Sequence, residues 1–313
     1  MAVVVGIDEA GYGPRVGPLV VSAVAFRVRD GVGDVALWDL LAPAAGRPER
    51  GADRIPIDDS KRLFSRSAGL GRLERTALAF AGAAGFQPST VRGLLGAMAI
   101  LREDPDAYPW YRGWDAPLPR AVSREQPERD ARRLQALGAV EFLGARLAPV
   151  LTAEFNRIVE AHGTKAAALF LRTADLLEWA WERWGREGLV VLADKHGGRN
   201  RYGLLLHQAF FGAHLETLEE GRRASRYHLT DGHRAMTIGF YMDGDAHHLP
   251  VALASVFSKF VRELFMEGFN AYWTRRVPGL RPTAGYGVDA RRFLEELARA
   301  DALPAEPPLV RLA

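Results

Sequence analysis

The chain has no cysteine. Disulfides and thiolate metal sites are therefore excluded, and a reducing, cytoplasmic setting is the natural expectation. Long apolar runs are missing too. No stretch approaches the ~18 residues of a membrane-spanning helix. The opening residues lack the basic region of a secretory signal, and Asp8 interrupts the first apolar run early, so no membrane partner is expected. There is no internal repeat and no low-complexity tract. Histidines never take the H-x-x-x-H spacing of a helical zinc site with a third ligand. That leaves His247-His248 and the pair His228/His233 as poor zinc candidates. The glycines of GYGPRVG (residues 11–17) miss the G-x-G-x-x-G spacing, and Pro14 and Pro18 oppose a helix starting there, which argues against a dinucleotide site.

What the chain does contain is 313 residues, enough for one large domain or two small ones, with 48% hydrophobic and 25% charged residues, the balance of an ordinary globular protein. The formal net charge is +3. Residues 195–234 alone hold seven Lys/Arg against four Asp/Glu, and five of the eight histidines. A basic segment of this kind leans towards polyanions; arginines that merely solvate helices give the same balance.

Hydrophobic periodicity and turn residues divide the chain further. Strands are expected at 2–8 and 18–28, and a loop or short helix within 30–56. Helices are expected at about 66–82, capped by Asp59 or Ser65, and at 88–101. Residues 104–128 carry five prolines and several aromatics that look exposed. They read as an insertion, either a substrate-facing lid or a packed surface loop. A strand is expected within 139–151, helices at 152–161 and 164–185, and a compact buried strand at 189–193 ending on Asp194. Then follow a helix at about 201–212, a meander of strands near 214–220, 225–230 and 235–242, a long amphipathic helix at 249–272, a turn at 278–287, and a last helix at 288–300.

Chemistry concentrates at strand ends. Ala2 to Gly6 lead into the adjacent carboxylates Asp8 and Glu9, followed by the glycine turn Gly11-Tyr12-Gly13-Pro14. Side chains alternate along a strand, so one of the two carboxylates at most enters a common site as a strand residue. Carboxylates at the end of a buried strand are costly unless a cation is present. A solvated acidic pair is the plain alternative. Asp194 repeats the pattern. On the helix from Leu249, Ser255, Lys259 and Glu263 are spaced by four and share one face. Asp8, Glu9, Asp194 and Glu263 together suit hard divalent cations, and two such ions can activate a water and stabilise the leaving oxygen of a phosphodiester. Should Asp194 lie elsewhere, Asp243, Asp245 or Asp231 is the alternative third ligand. Lys61, Lys195, Arg199, Arg201, Lys259 and the backbone N–H groups of residues 11–13 are the candidate phosphate partners.

At this point the residues resemble a family. GIDEAGYGPRVGPLVVSAVAF is similar to the opening of type 2 ribonucleases H (ribonuclease HII), whose pattern is close to GIDEAGRGPLAGPVVVAAV. Asp59-Ser60-Lys61-Arg62-Leu63 resembles the family's DSKKL element. Gly244-Asp245-Ala246 with Ala252 to Glu263 resembles its GDA…AAASIIAKVTRD segment. Gly285-Tyr286-Gly287 resembles its GYPT turn. The resemblance implies an α/β ribonuclease H-like fold: a central mixed five-stranded sheet flanked by helices, with a C-terminal helical cap at about 249–313. It implies a single domain over 1–313, with insertions at about 85–138 and 195–243, the latter carrying the inserted β-meander. It also implies Mg²⁺- or Mn²⁺-dependent cleavage, with two ions, of RNA in RNA–DNA hybrids or of ribonucleotides embedded in DNA. Asp8, Glu9, Asp194 and Glu263 would be the catalytic carboxylates. Tyr286 would stack on a sugar, the 11–13 turn and Ser255 would meet substrate, and Lys61 and Lys259 would face phosphates. The chain departs from the pattern where Tyr12 replaces the arginine of GRG, and where Arg291 stands near the position of a histidine. The basic DKHGGRNRY stretch has no counterpart in the pattern; it reads as a phosphate-binding turn beside the metals or as a tight loop. Cleavage of another nucleic-acid structure, or binding without catalysis, are the alternative functions.

Overall fold

The computed structural model describes residues 2–28, 37–49, 53–64 and 69–312, with the side chain of Lys61 left out. In order, the elements are β1 (Ala2–Ala10), β2 (Leu19–Val28), α1 (Leu37–Leu41), β3 (Ala45–Gly46), β4 (Ile55–Pro56), α2 (Ser60–Leu63), α3 (Gly71–Ala83), α4 (Val91–Met98), α5 (Glu125–Gln135), β5 (Val140–Val150), α6 (Thr152–His162), α7 (Lys165–Trp184), β6 (Leu189–Asp194), α8 (Gly203–Ala209), β7 (His214–Glu220), β8 (Ala224–Thr230), β9 (Ala235–Tyr241), α9 (Gly244–His247), α10 (Leu249–Arg276) and α11 (Gly287–Arg299). The expected cap at Ser65 and the start of the helix at 66 fall outside the described residues; its visible part is α3.

One mixed sheet organises the molecule, in the order β5-β2-β1-β6-β9-β8-β7. Strands β1 and β6 are parallel, as are β6 and β9, while the outer pairs are antiparallel. A mixed sheet flanked by helices is the expected class, but it has seven strands, not five. The strands of the expected meander belong to this sheet: β9 takes a place beside β6, and β8 and β7 extend it. Pairing over such sequence distances is set by which hydrogen-bonding edge is free, which local patterning does not encode.

Strand alternation sorts the core into two layers. Val3, Val5 and Ile7 of β1 face one side with Leu169, Leu176 and Leu177 of α7. Val4 faces the other side with Val256, Phe257 and Phe260 of α10. Gly6 shows how tightly α10 lies on β1: a Cβ there would sit 2.1 Å from the carbonyl carbon of Pro250. No side chain larger than hydrogen fits that crossing.

Residues 104–128 are a packed loop. Tyr108, Trp110 and Tyr111 are buried, and Trp110 and Tyr111 make edge contacts with Phe269 and Phe265 of α10. Their expected exposure is corrected here: the prolines break regular structure but leave the aromatics facing the core. Buried Glu74 of α3 pins the loop from below, accepting the backbone N–H groups of Arg120 (2.8 Å), Ala121 (2.5 Å) and Val122 (3.1 Å).

A second buried acid tunes stability with pH. Glu154 of α6 lies 3.5 Å from the Arg172 guanidinium of α7, which also pairs with Asp175 at 2.6 Å. Burial outweighs the arginine and raises the Glu154 carboxyl to about 7. A carboxyl raised in the folded state makes the protein most stable below its unfolded value of 4.5, and that stability is lost as pH rises towards 7. Glu154→Gln is therefore expected to stabilise the protein at pH 8, on the order of 1–3 kcal/mol, and to change little at pH 4. Urea midpoints at the two pH values check this; an equal shift at both contradicts it.

Candidate active site

Asp8 lies two residues before the end of β1, and Asp194 ends the neighbouring parallel strand β6. The register pairs Ile7 with Ala193, so the next residue on each strand is a carboxylate. Asp8 has the parity of Val4, and Asp194 that of Leu192; both of those residues pack in the α10 layer. The two acids thus stand side by side on the face that α10 covers, about one strand spacing (~4.8 Å) apart at the backbone. Glu9 has the opposite strand parity, yet its charge acts on the Asp8 carboxyl more strongly than that of Asp194 does.

Hydrogen bonds set Asp8 in place. Its Oδ1 accepts the Glu9 N–H at 2.8 Å, and its carboxylate takes a further bond from Ser255 of α10. The Ser255 hydroxyl also lies 3.0 Å from the hydroxyl of Ser60 on α2, which ties the DSKRL element to the same point. Ser258 donates to the Asp8 carbonyl at 2.9 Å and lies 2.8 Å from the hydroxyl of Ser22. Asp194 accepts the Gly244 N–H at 2.8 Å.

The electrostatics are those of crowded negative charge. Burial, then Glu9, then Asp194 push the Asp8 carboxyl well above the usual carboxylate range. Burial raises Asp194 to about 6; the Gly244 N–H opposes this, while Asp245 and Asp243 add to it. Asp243 and Asp245 therefore join Asp194 as neighbours, and Asp194 keeps its place as the strand-end acid. Carboxylates packed this closely retain protons unless a cation neutralises them.

Glu263 is placed differently. It lies five residues beyond Ser258 on α10, about 7 Å further along the axis. Its Oε1 is held by Lys259 at 2.6 Å and by the fully buried Arg262 at 3.1 Å. Among the described residues, no three His, Cys, Asp or Glu side chains are grouped as a metal cage. Of the four expected carboxylates, Asp8 and Asp194 are neighbours across β1 and β6, the charge of Glu9 acts on Asp8, and Glu263 is engaged by two cations. The donor chemistry of buried, adjacent carboxylates still fits a hard divalent ion.

The basic candidates separate. Lys195 is buried, and its ammonium donates to Asn200 (2.8 Å), the Gly221 carbonyl (2.5 Å) and Ser225 (3.2 Å). It braces the loop through these three bonds. Arg201 is exposed and points towards Glu220 at 3.8 Å. Arg199 lies near the site, since its charge acts on Tyr12 and His196. His196 is buried and neutral, its value lowered to about 3 first by burial and then by Arg199. Lys259 lies over the Phe64 ring at 4.7 Å. Lys61 sits on α2, with its side chain outside the described residues.

The turns complete the rim. Residues 11–17 pack backbone to backbone on residues 283–287. Arg15 and Val16 donate to the Gly285 carbonyl at 2.8 and 3.4 Å, and a Cβ at Gly285 would lie 2.4 Å from the Val16 oxygen. Exposed Tyr286 rests over the Arg262 guanidinium at 5.0 Å. Tyr12 is half-buried, with the Lys165 ammonium 5.2 Å from its ring centre. Sequence reasoning missed Ser258, Arg262 and Arg311 as site-building residues. Arg262 had a signal, its place beside Glu263. Arg311 had none.

No family model matches the chain, and no curated protein matches it. Solved structures do. A chain of the PCNA:RNase HII complex from Archaeoglobus fulgidus is 16% identical, with 99% of this chain and 93% of that one covered, at a TM-score of 0.43. Ribonuclease H2 from Pyrococcus horikoshii OT3 is 16% identical, with 99% and 92% covered, at 0.42. Bst-RNase HIII in complex with Mn²⁺ is 14% identical, with 96% and 63% covered, at 0.45.

Proposed function

We propose that the chain is a metal-dependent endonuclease of ribonuclease H type. Its substrate is the RNA strand of RNA–DNA hybrids, or ribonucleotides embedded in DNA. The observation that carries this reading is the pair Asp8, buried on β1, and Asp194, half-buried at the end of the adjacent parallel strand β6, in a chain whose DEAG, DSK, GDA and GYG segments occur in that order. Asp8 and Asp194, with Glu9 next to them, would hold Mg²⁺ or Mn²⁺. When bound, such an ion supplies Lewis-acid activation of the scissile phosphodiester. Ser255 orients the Asp8 carboxylate, Tyr286 offers a flat exposed ring for a sugar, and Lys259 and Arg199 add positive charge at the rim. The work belongs in the cytoplasm, and no helix among the described residues is long and apolar enough to cross a membrane.

Tyr12 favours a second reading. Its ring stands at the sequence place of the family's arginine, beside Lys165, and a turn altered in this way suits a different nucleic-acid structure. Three labelled substrates separate the two: a uniform hybrid, a duplex with a single ribonucleotide, and all-DNA duplex. Cleavage of the first or second and not the third supports the ribonuclease. Comparable cleavage of DNA supports the second reading, and metal-independent binding without cleavage rejects both.

A further inference from the structure

We propose that Arg311 is a positioning residue, holding the 11–17 turn by its carbonyl oxygens so that the Gly13 N–H faces the substrate. This rests on the function proposed above. Arg311 lies beyond α11 and is only 4% exposed. Its Nε donates to the Pro14 carbonyl at 2.9 Å; its Nη2 donates to the same carbonyl and to that of Tyr12 at 3.4 Å. Its own N–H donates to the Arg15 carbonyl at 2.8 Å. Three carbonyls of one turn are thus gathered onto one residue.

The segment that carries Arg311 is itself fastened. Asn156 of α6 donates to the Val310 carbonyl at 3.0 Å and accepts the Leu312 N–H at 2.8 Å. The guanidinium lies 4.5 Å from the centre of the Phe155 ring. The charged groups that act on Arg311 are Arg262 and Tyr286. A buried arginine without a carboxylate is expensive; here Nε and Nη2 donate to the turn, while Nη1 has no hydrogen-bond partner.

Peptide geometry turns this grip into aim. The C=O and N–H of one trans peptide point in opposite directions. The peptide after Pro14 shows the effect: its carbonyl goes to Arg311 and its N–H, on Arg15, goes to Gly285. The peptide after Tyr12 is held the same way at its carbonyl, so the Gly13 N–H is directed away from Arg311. Gly13 is exposed, and a Cβ there would meet nothing within 4 Å. Gly13 is thus an exposed residue on the rim of the site, and its N–H, turned from Arg311, is the donor we assign to a ribose hydroxyl or phosphate oxygen.

The test compares wild type, Arg311→Ala and Arg311→Lys. With a single-ribonucleotide duplex, Arg311→Ala is expected to raise KM about tenfold and to narrow the preference for ribose over deoxyribose, with kcat nearly unchanged. Arg311→Lys, which keeps the charge but loses the fork, is expected to recover part of the loss. Amide hydrogen exchange is measured on the same proteins. It should accelerate at residues 11–17 in Arg311→Ala and stay unchanged in β1 and β6. Unaltered exchange in the turn overturns the proposal, and so does faster exchange with unaltered KM and preference. If Arg311→Ala fails to fold, the same comparisons are made with Arg311→Lys, in which unchanged exchange and KM overturn the proposal. If wild type cleaves none of the substrates, the proposed function fails separately. Anisotropy with the same duplex then decides the positioning role, and equal affinity of wild type and variant overturns it.

Discussion

Asp8→Asn is expected to abolish cleavage, by on the order of 10³-fold or more, and at the same time to raise the thermal midpoint of the metal-free protein. Both effects come from one cause. Asp8 is buried against Glu9 and Asp194, and its carboxyl is held well above the usual range. An acid whose folded value is raised destabilises the fold at every pH above its unfolded value, and the cost grows as pH rises through the interval. Asparagine keeps the acceptor for the Glu9 N–H at 2.8 Å and removes the charge. The gain should be several degrees at pH 8 and small at pH 4. Mg²⁺ or Mn²⁺ should raise the midpoint of wild type, because an ion that binds only the folded state stabilises it, and should do so far less for Asp8→Asn. Differential scanning calorimetry at the two pH values, with and without metal, checks both parts. A variant that is less stable than wild type at pH 8 contradicts the account of the crowded carboxylates.

Glu74→Ala is expected to cost about 3–5 kcal/mol of stability. Its fully buried carboxylate accepts three consecutive backbone N–H groups, from Arg120, Ala121 and Val122. Alanine leaves these donors without an acceptor inside the protein, and a lost hydrogen bond to a charged group costs about 1.5–3 kcal/mol before relaxation. Relaxation here means release of the 104–128 loop, which would uncover Trp110 and Tyr111. The signature is therefore a lower urea midpoint, with a change in tryptophan emission that begins before global unfolding. An intact loop with a loss under about 1 kcal/mol contradicts this role. Glu74→Gln keeps an acceptor and should lose less.

The sequence displayed the parts of the fold that repeat locally. Two apolar runs around GYGP, the stripe of Leu169, Leu176 and Trp181, and the run from Leu249 became β1, β2, α7 and α10. It also displayed the carboxylates of β1 and β6, and alternation shows that at most one of Asp8 and Glu9 enters a common site as a strand side chain. What stayed hidden depends on partners far along the chain. The meander joins the sheet because β9 pairs with β6. Lys195 turns inward because Gly221 and Ser225 accept its ammonium. Glu263 is held by Lys259, four residues before it, and by Arg262; the first of these pairings follows from helical spacing. Arg311 meets the turn at Pro14 across almost the whole chain.

The central claim is that the Asp8–Asp194 pair makes a metal-dependent ribonuclease. Its most direct measurement is cleavage of a labelled RNA–DNA hybrid by wild type and Asp8→Asn, in EDTA, Mg²⁺ and Mn²⁺, with the product ends identified. The expected result is cleavage by wild type only with a metal present, giving 3′-hydroxyl and 5′-phosphate ends, and none by the variant. Equal cleavage by the two proteins, or cleavage by wild type in EDTA, would contradict it.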